Sequence, residues 1–184
     1  MGNARKTAVQ ALLRVSEESG YSNLVLDSIL QKDGLSGQDK AFVSALTYGV
    51  LERQLTLDYQ IERHSKLPLK KLSPKLLCIL RCGVYQLLFM DKVPPSAAVN
   101  EAVKLTRQMG QSSAAGFVNA VLRTVGRDGL LLPGREKDPV RYLSVKGSCP
   151  QWLVRLWITA YGEEETERIL KAFLGRHGVF LRVK

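Results

Sequence analysis

Apolar residues recur at three- and four-residue intervals along most of this chain, the spacing that gives a helix one buried face. Ala8, Leu12 and Val15 share a face of a first helix, with Val9 and Leu13 beside them and Asn3 placed to cap its start. Ser22 opens a second, which carries Leu26, Ile29 and Leu30 and ends at Gly34. Ser36 and Asp39 have the spacing of a capping box before a third, with Phe42, Val43 and Leu46. Gly49 predicts a bend, after which Leu55, Tyr59 and Ile61 continue in helical register. Ser73-Pro74 supplies an N-cap and a first-turn proline to the most apolar helix, Leu76 to Leu88, which the pattern puts at the centre of the core. Two more helices begin near Pro95 or Ser96 and near Ser112 or Ser113, the latter with Val118, Val121, Leu122 and Val125. Strand-like alternation is missing before residue 130. The prediction is an all-α bundle with short links.

The pattern changes after Gly126. Residues 127–148 mix Gly, Pro and charge without a period and read as a linker. PQWLVRLWITAYG and EEETERILKAFLG then predict two short helices, with Glu163, Glu164 and Glu165 as a solvated, dipole-favoured first turn. The closing GVFLRVK alternates like a strand, yet the chain offers it no second strand to pair with. The expected organisation is a helical unit over 1–126, a linker over 127–148, and the incomplete beginning of another unit over 149–184.

Charge narrows the function classes. The 184 residues carry 27 Lys+Arg against 17 Asp+Glu, a net charge of +10. Residues 1–128 hold 17 basic and 11 acidic groups, so the excess belongs to the body of the protein and not to a tail. Its densest run, Arg63 to Arg81, has six Lys/Arg and no acid. A polyanionic partner, RNA or DNA, is the natural reading; a basic surface kept for solubility is the plain alternative. The N-terminus is polar, without the apolar region of a signal peptide, and no stretch is apolar for the ~18 residues of a membrane span. A cytoplasmic protein is expected, and the odd cysteine count fits free thiols.

Catalytic chemistry is harder to find. Phosphate-cradling glycine patterns are missing, and His64 and His177 stand too far apart for a triad or a His-rich metal site. Cys78 and Cys82 lie one helical turn apart, but nothing completes a metal site around them, so buried core thiols are expected. Asp91 and Glu101 flank the Pro94-Pro95 corner as an imaginable carboxylate pair, yet Lys104, three residues beyond Glu101, points to an ordinary polar helix stripe.

RCGVYQLLFMDKVPPSAAVNEAVKLTRQ, from Arg81, followed by GFVNAVLR, from Gly116, carries a more specific signal. Together they resemble the NusB-like domain that begins bacterial rRNA cytosine-C5 methyltransferases of the RsmB (Fmu/Sun) family. That family reads roughly L-R-x-G-x-Y-Q-L-L, then I/V-P-x-x-A-A-V-N-E-A-V, then F-V-N-A-V-L-R. ARKTAVQALLRV from Ala4 and QDKAFVSALTYGVLERQLTLDYQI from Gln38 resemble its earlier blocks, with Lys40 where Arg is usual. PQWLVRLWITAYGEEETERILKAF and FLRVK resemble the region before the catalytic domain, with Lys184 replacing an Asn.

The resemblance implies a NusB-like, RNA-binding helical bundle whose catalytic domain, with its S-adenosylmethionine site and catalytic cysteines, lies outside this chain. Cys149-Pro150 reverses the family's Pro-Cys order, so no catalytic residue, metal or cofactor is assigned here. Arg5 and Lys6 match the basic N-terminal helix that related antitermination factors use against RNA, and Arg14 extends it. Lys40 joins them by its place in the matched block. Lys66, Lys70, Lys71 and Lys75 rest on bulk charge alone. The implied partners are small-subunit rRNA, a possible ribosomal protein and the enzyme's own catalytic domain. A stand-alone antitermination factor and a purely structural helical module are the alternatives. Few exposed aromatics are expected for stacking on bases.

Overall fold

A computed structural model describes residues 4–18, 22–32 and 34–175. The Asn3 cap and the strand expected at the C-terminus lie outside them. The helices are α1 (Ala4–Glu18), α2 (Ser22–Lys32), α3 (Gly37–Glu52), α4 (Gln54–His64), α5 (Pro74–Phe89), α6 (Pro95–Gln108), α7 (Ala115–Asp128), α8 (Pro139–Gly147), α9 (Gln151–Tyr161) and α10 (Glu163–Phe173), with no strand among the described residues. The all-α expectation holds. The chain divides into two compact units, with the boundary between Leu131 and Leu132.

In the first unit α5 is the axis, packed against α1, α3, α4, α6 and α7. Ser73 starts it as expected: its hydroxyl accepts from the Leu76 amide at 3.2 Å, and Pro74 follows in the first turn. Leu76, Ile79, Leu80 and Val84 are buried in one core with Leu46 of α3, Leu57 of α4 and Leu122 of α7. A helix enclosed this way must satisfy its polar side chains internally. Arg81 does so through a bidentate pair with Asp58 of α4, at 2.7 and 2.8 Å. Gln86 donates to the Cys82 carbonyl and accepts from Arg5 Nε of α1 at 2.7 Å.

Gly49 does not bend the chain. α3 runs through it to Glu52, and the break comes at Arg53 (φ −108°, ψ 19°). The glycine makes room for Tyr85: a Cβ at position 49 would stand 2.0 Å from Tyr85 Cζ. Sequence alone shows a small residue without showing which neighbour needs the space.

Residues 127–148, expected as a linker, contain α8. Asp138 caps it by accepting from the Arg141 amide at 2.9 Å, and Pro139 opens it. Nine residues flanked by charge are too few to display a period, and their apolar face is short, chiefly Leu143 and Val145. Leu143, Cys149, Val154 and Leu170 form the core of the second unit, from α8, the turn after it, α9 and α10.

All three cysteines are free and buried. Burial pushes the Cys82 thiol well above its ordinary pKa, with Cys78 adding to the effect, and burial also raises Cys149. Thiolate is the reactive form, so these groups are inert packing.

Three outcomes follow for the folded protein. Asp58→Ala leaves Arg81 uncompensated and costs about 3 kcal/mol in urea unfolding, whereas Asp58→Leu with Arg81→Met costs far less. Gly49→Ala lowers the melting temperature, and Tyr85→Leu in the same chain recovers part of the loss. The thiols resist iodoacetamide at pH 8 by mass spectrometry and label stoichiometrically once the protein is unfolded.

Candidate nucleic-acid interface

The cations singled out in the sequence fall on α1, α3, the α4–α5 connection and the first turn of α5, and the structure gives them different work. Arg5, in the first turn of α1, is partly buried. Besides its bond to Gln86, its guanidinium lies over the Phe42 ring of α3, 5.0 Å from the centroid. It is a tie between α1, α3 and α5. Lys6 is exposed on α1, and Arg14 is half-buried two turns on. Lys40 sits half-exposed in the first turn of α3.

The connection between α4 and α5 is built differently. The Ser65 hydroxyl accepts from the Leu67 amide at 2.9 Å and donates to the Leu67 carbonyl, closing a tight turn after α4. Leu69–Lys71 form a single 3₁₀ turn, with the Lys71 amide on the Pro68 carbonyl and the Leu72 amide on the Leu69 carbonyl, both at 2.9 Å. Leu72 is buried and Leu69 packs against the same core, so the segment is pinned from beneath. The Ser73 hydroxyl also reaches Gln111 Oε1 at 3.2 Å, bringing the turn after α6 against the start of α5. Lys66, Lys70, Lys71 and Lys75 are left exposed on this frame, with Arg63 exposed in the last turn of α4. None of these five is in an ion pair among the described residues. Apolar spacing could not show that order, because the segment has no helical period of its own.

Several contacts were not legible beforehand. Gln60, fully buried on α4, clamps the backbone of Leu131: its Nε2 donates to the carbonyl at 2.8 Å and its Oε1 accepts from the amide at 3.0 Å. His64 is buried beside it, Nδ1 2.7 Å from the Gln60 carbonyl and Nε2 3.3 Å from Asp128 Oδ2. Asp128 is also held by Arg127, whose hydrogen bond keeps its carboxyl below the usual carboxylate pKa.

In the second unit, Glu163 and Glu167 are not simply solvated. Arg135 pairs with both, at 2.7 and 3.1 Å, and Lys146 bonds Glu167, lowering that carboxyl's pKa. The expectation of few exposed aromatics fails here. Trp152, Tyr161 and Phe173 are all more than half exposed, and Trp157 stacks on Phe173 with ring centroids 5.8 Å apart.

The two carboxylates that flank the Pro94-Pro95 corner are not brought together as a pair with partners of their own. Asp91 is exposed in the turn after α5, and Glu101 meets Lys104 at 3.9 Å within α6. Among the described residues no group of three His, Cys, Asp or Glu side chains is gathered to hold a metal ion, and no helix is long and apolar enough to cross a membrane.

Comparison with known proteins agrees with this architecture. The probable ribosomal RNA small subunit methyltransferase B of Bacillus subtilis is 36% identical over 172 residues, which cover 94% of this chain and 38% of that protein. The chain thus spans about two fifths of the length of such relatives. The transcription antitermination protein NusB of Bacillus licheniformis is 35% identical over 127 residues, covering 68% of this chain and 95% of its own. The NusB chain of a crystal structure of antitermination factors NusB and NusE in complex with dsRNA superposes with a TM-score of 0.62 at 22% identity, over 68% of this chain and 94% of that one. At that identity the likeness speaks for the fold alone. Residues 2–127 match the NusB family itself, and the chain belongs to that family.

Proposed function

We propose that this chain is the RNA-binding accessory part of an S-adenosylmethionine-dependent methyltransferase acting on a cytosine C5 of small-subunit rRNA. One observation carries the choice among NusB-type roles. The similarity to the methyltransferase relative runs over 94% of the chain, and so past the residues that match the NusB family. The antitermination relative accounts for only 68%. α8, α9 and α10 therefore have counterparts in methyltransferases and lie outside what an antitermination factor needs. On this reading the second unit is the beginning of the enzyme's next region. The methyl donor is bound, and chemistry done, by the remaining three fifths of such an enzyme.

The RNA part of the proposal rests on charge and on the fold neighbour, which is a NusB bound with NusE to double-stranded RNA. The spread of positive charge over the body favours backbone contacts, which position an enzyme on its substrate. A ribosomal protein is the second partner proposed, by the same likeness. The chain's surroundings are then those of the ribosome in the cytoplasm.

A second reading, a NusB-type antitermination factor, has the antitermination relative in its favour. A transcription antitermination assay separates the two: activity that survives deletion of residues 132–184 favours the second reading, and no activity from the intact chain favours the first.

The direct test is RNA binding by the intact chain across salt. With about four phosphates neutralised, affinity should fall roughly a hundredfold between about 50 and about 200 mM salt. Flat salt dependence, or tight binding of S-adenosylmethionine by these residues alone, would overturn the proposal.

A further inference from the structure

We infer that the α4–α5 connection is a preformed ridge for the phosphate backbone of double-helical RNA, carried by Lys66, Lys70, Lys71 and Lys75. The inference rests on the RNA-binding reading above and says which surface does the binding.

Three observations carry it. The first is the contrast in how cations are used. Arg5, Arg53 and Arg81 are each engaged inside the first unit, by Gln86 and Phe42, by the Phe89 ring at 4.3 Å, and by Asp58. Arg127 and Lys104 have acidic partners. The four lysines have none among the described residues, and from Arg63 to Arg81 the sequence contains no acid. Arg5, which the family resemblance names together with Lys6, is therefore committed to holding the bundle together.

The second is that the ridge is electrostatically unfavourable as it stands. Lys75 sits in the first turn of α5, where the helix presents its positive end and where the sequence supplies no acid. Lys70 and Lys71 approach the same end from the 3₁₀ turn. Three like charges, Lys70, Lys71 and Lys75, close in sequence to the positive end of a 16-residue helix repel one another and the dipole, and Lys66 continues the run on the side of α4. An anion with several charges at fixed spacing turns each of those repulsions into attraction.

The third is rigidity. A patch kept for solubility needs no fixed shape. This one is held by the Ser65 turn, by Leu69 and Leu72 in the core, and by Ser73, which caps α5 and bonds Gln111. A backbone already fixed beneath the lysines leaves only their side chains to be ordered on binding, which suits a stiff partner. The segment also lacks Phe, Tyr and Trp, and His64 is turned inward to Asp128. Nothing on the ridge can stack on an unpaired base, so the contact is to backbone and independent of sequence.

Fluorescence anisotropy with a short RNA duplex and with its single strand tests the ridge in the intact chain. Replacing Lys66, Lys70, Lys71 and Lys75 by Gln should weaken duplex binding at least tenfold at about 100 mM salt and reduce the salt slope by about 3.6. The corresponding Lys→Arg chain should bind duplex as the parent does. A charge-matched chain with Lys92, Lys137, Arg155 and Lys171 replaced by Gln should keep the parent's slope to within about one. Equal losses in the two Gln chains would overturn the ridge while leaving RNA binding intact. Single strand bound as tightly as duplex, with the same loss, would overturn the double-helical part. A parent chain that binds no RNA fails the functional reading itself, which is a different outcome. Circular dichroism confirms that each variant is folded, and Lys70→Gln with Lys71→Gln serves in place of any that is not, with an expected slope change of about 1.8.

Discussion

Past its exposed first turn, α5 is packed against five other helices and carries two large polar side chains with little solvent to hydrate them. Arg81 and Gln86 face outward from the helix into other helices rather than into water. Asp58 of α4 meets the first and Arg5 of α1 meets the second. Those partners set the rotation of α5 about its own axis, because a turn of one residue would bury a guanidinium and an amide without bonds. Once that rotation is set, Tyr85 points at Gly49 and Leu122 lies over Gly83. The rest of the first unit is arranged around an axis whose orientation is fixed by hydrogen bonds and whose energy comes from apolar burial.

How much of this could be read in advance depends on the kind of information involved. Local chemistry was legible. Ser36 with Asp39 caps α3, Ser73 with Pro74 opens α5, and the apolar faces of α5 and α7 fall where periodicity puts them. Long-range pairing was not. Gln60 with Leu131 and Arg5 with Gln86 join residues 71 and 81 positions apart, and no local spacing encodes such partners. α8 was hidden for a third reason: a nine-residue helix buries so few side chains that charged neighbours drown its period.

The same distinction governs the cations. Family resemblance ranks residues by position, and position puts Arg5 and Lys6 together at the head. Exposure and pairing sort them by availability, and the α4–α5 lysines are exposed and outside any ion pair among the described residues. A guanidinium spent on a buried glutamine and an aromatic face is a poor electrostatic handle, however well its place in the chain matches. Lys and Arg content alone cannot separate these roles, because both kinds count equally toward a net charge of +10.

The Gln60 clamp has a bearing on how such a bundle can be joined to anything else. A single buried amide takes both hydrogen-bonding groups of Leu131, three residues past the end of α7. Cutting the chain before that residue leaves Gln60 with an orphan donor and an orphan acceptor at the bottom of the core. The bundle therefore carries its own stop mark, written in a residue 71 positions upstream. Any gene fusion or excision that respects the fold has its splice point downstream of Leu131, whatever follows.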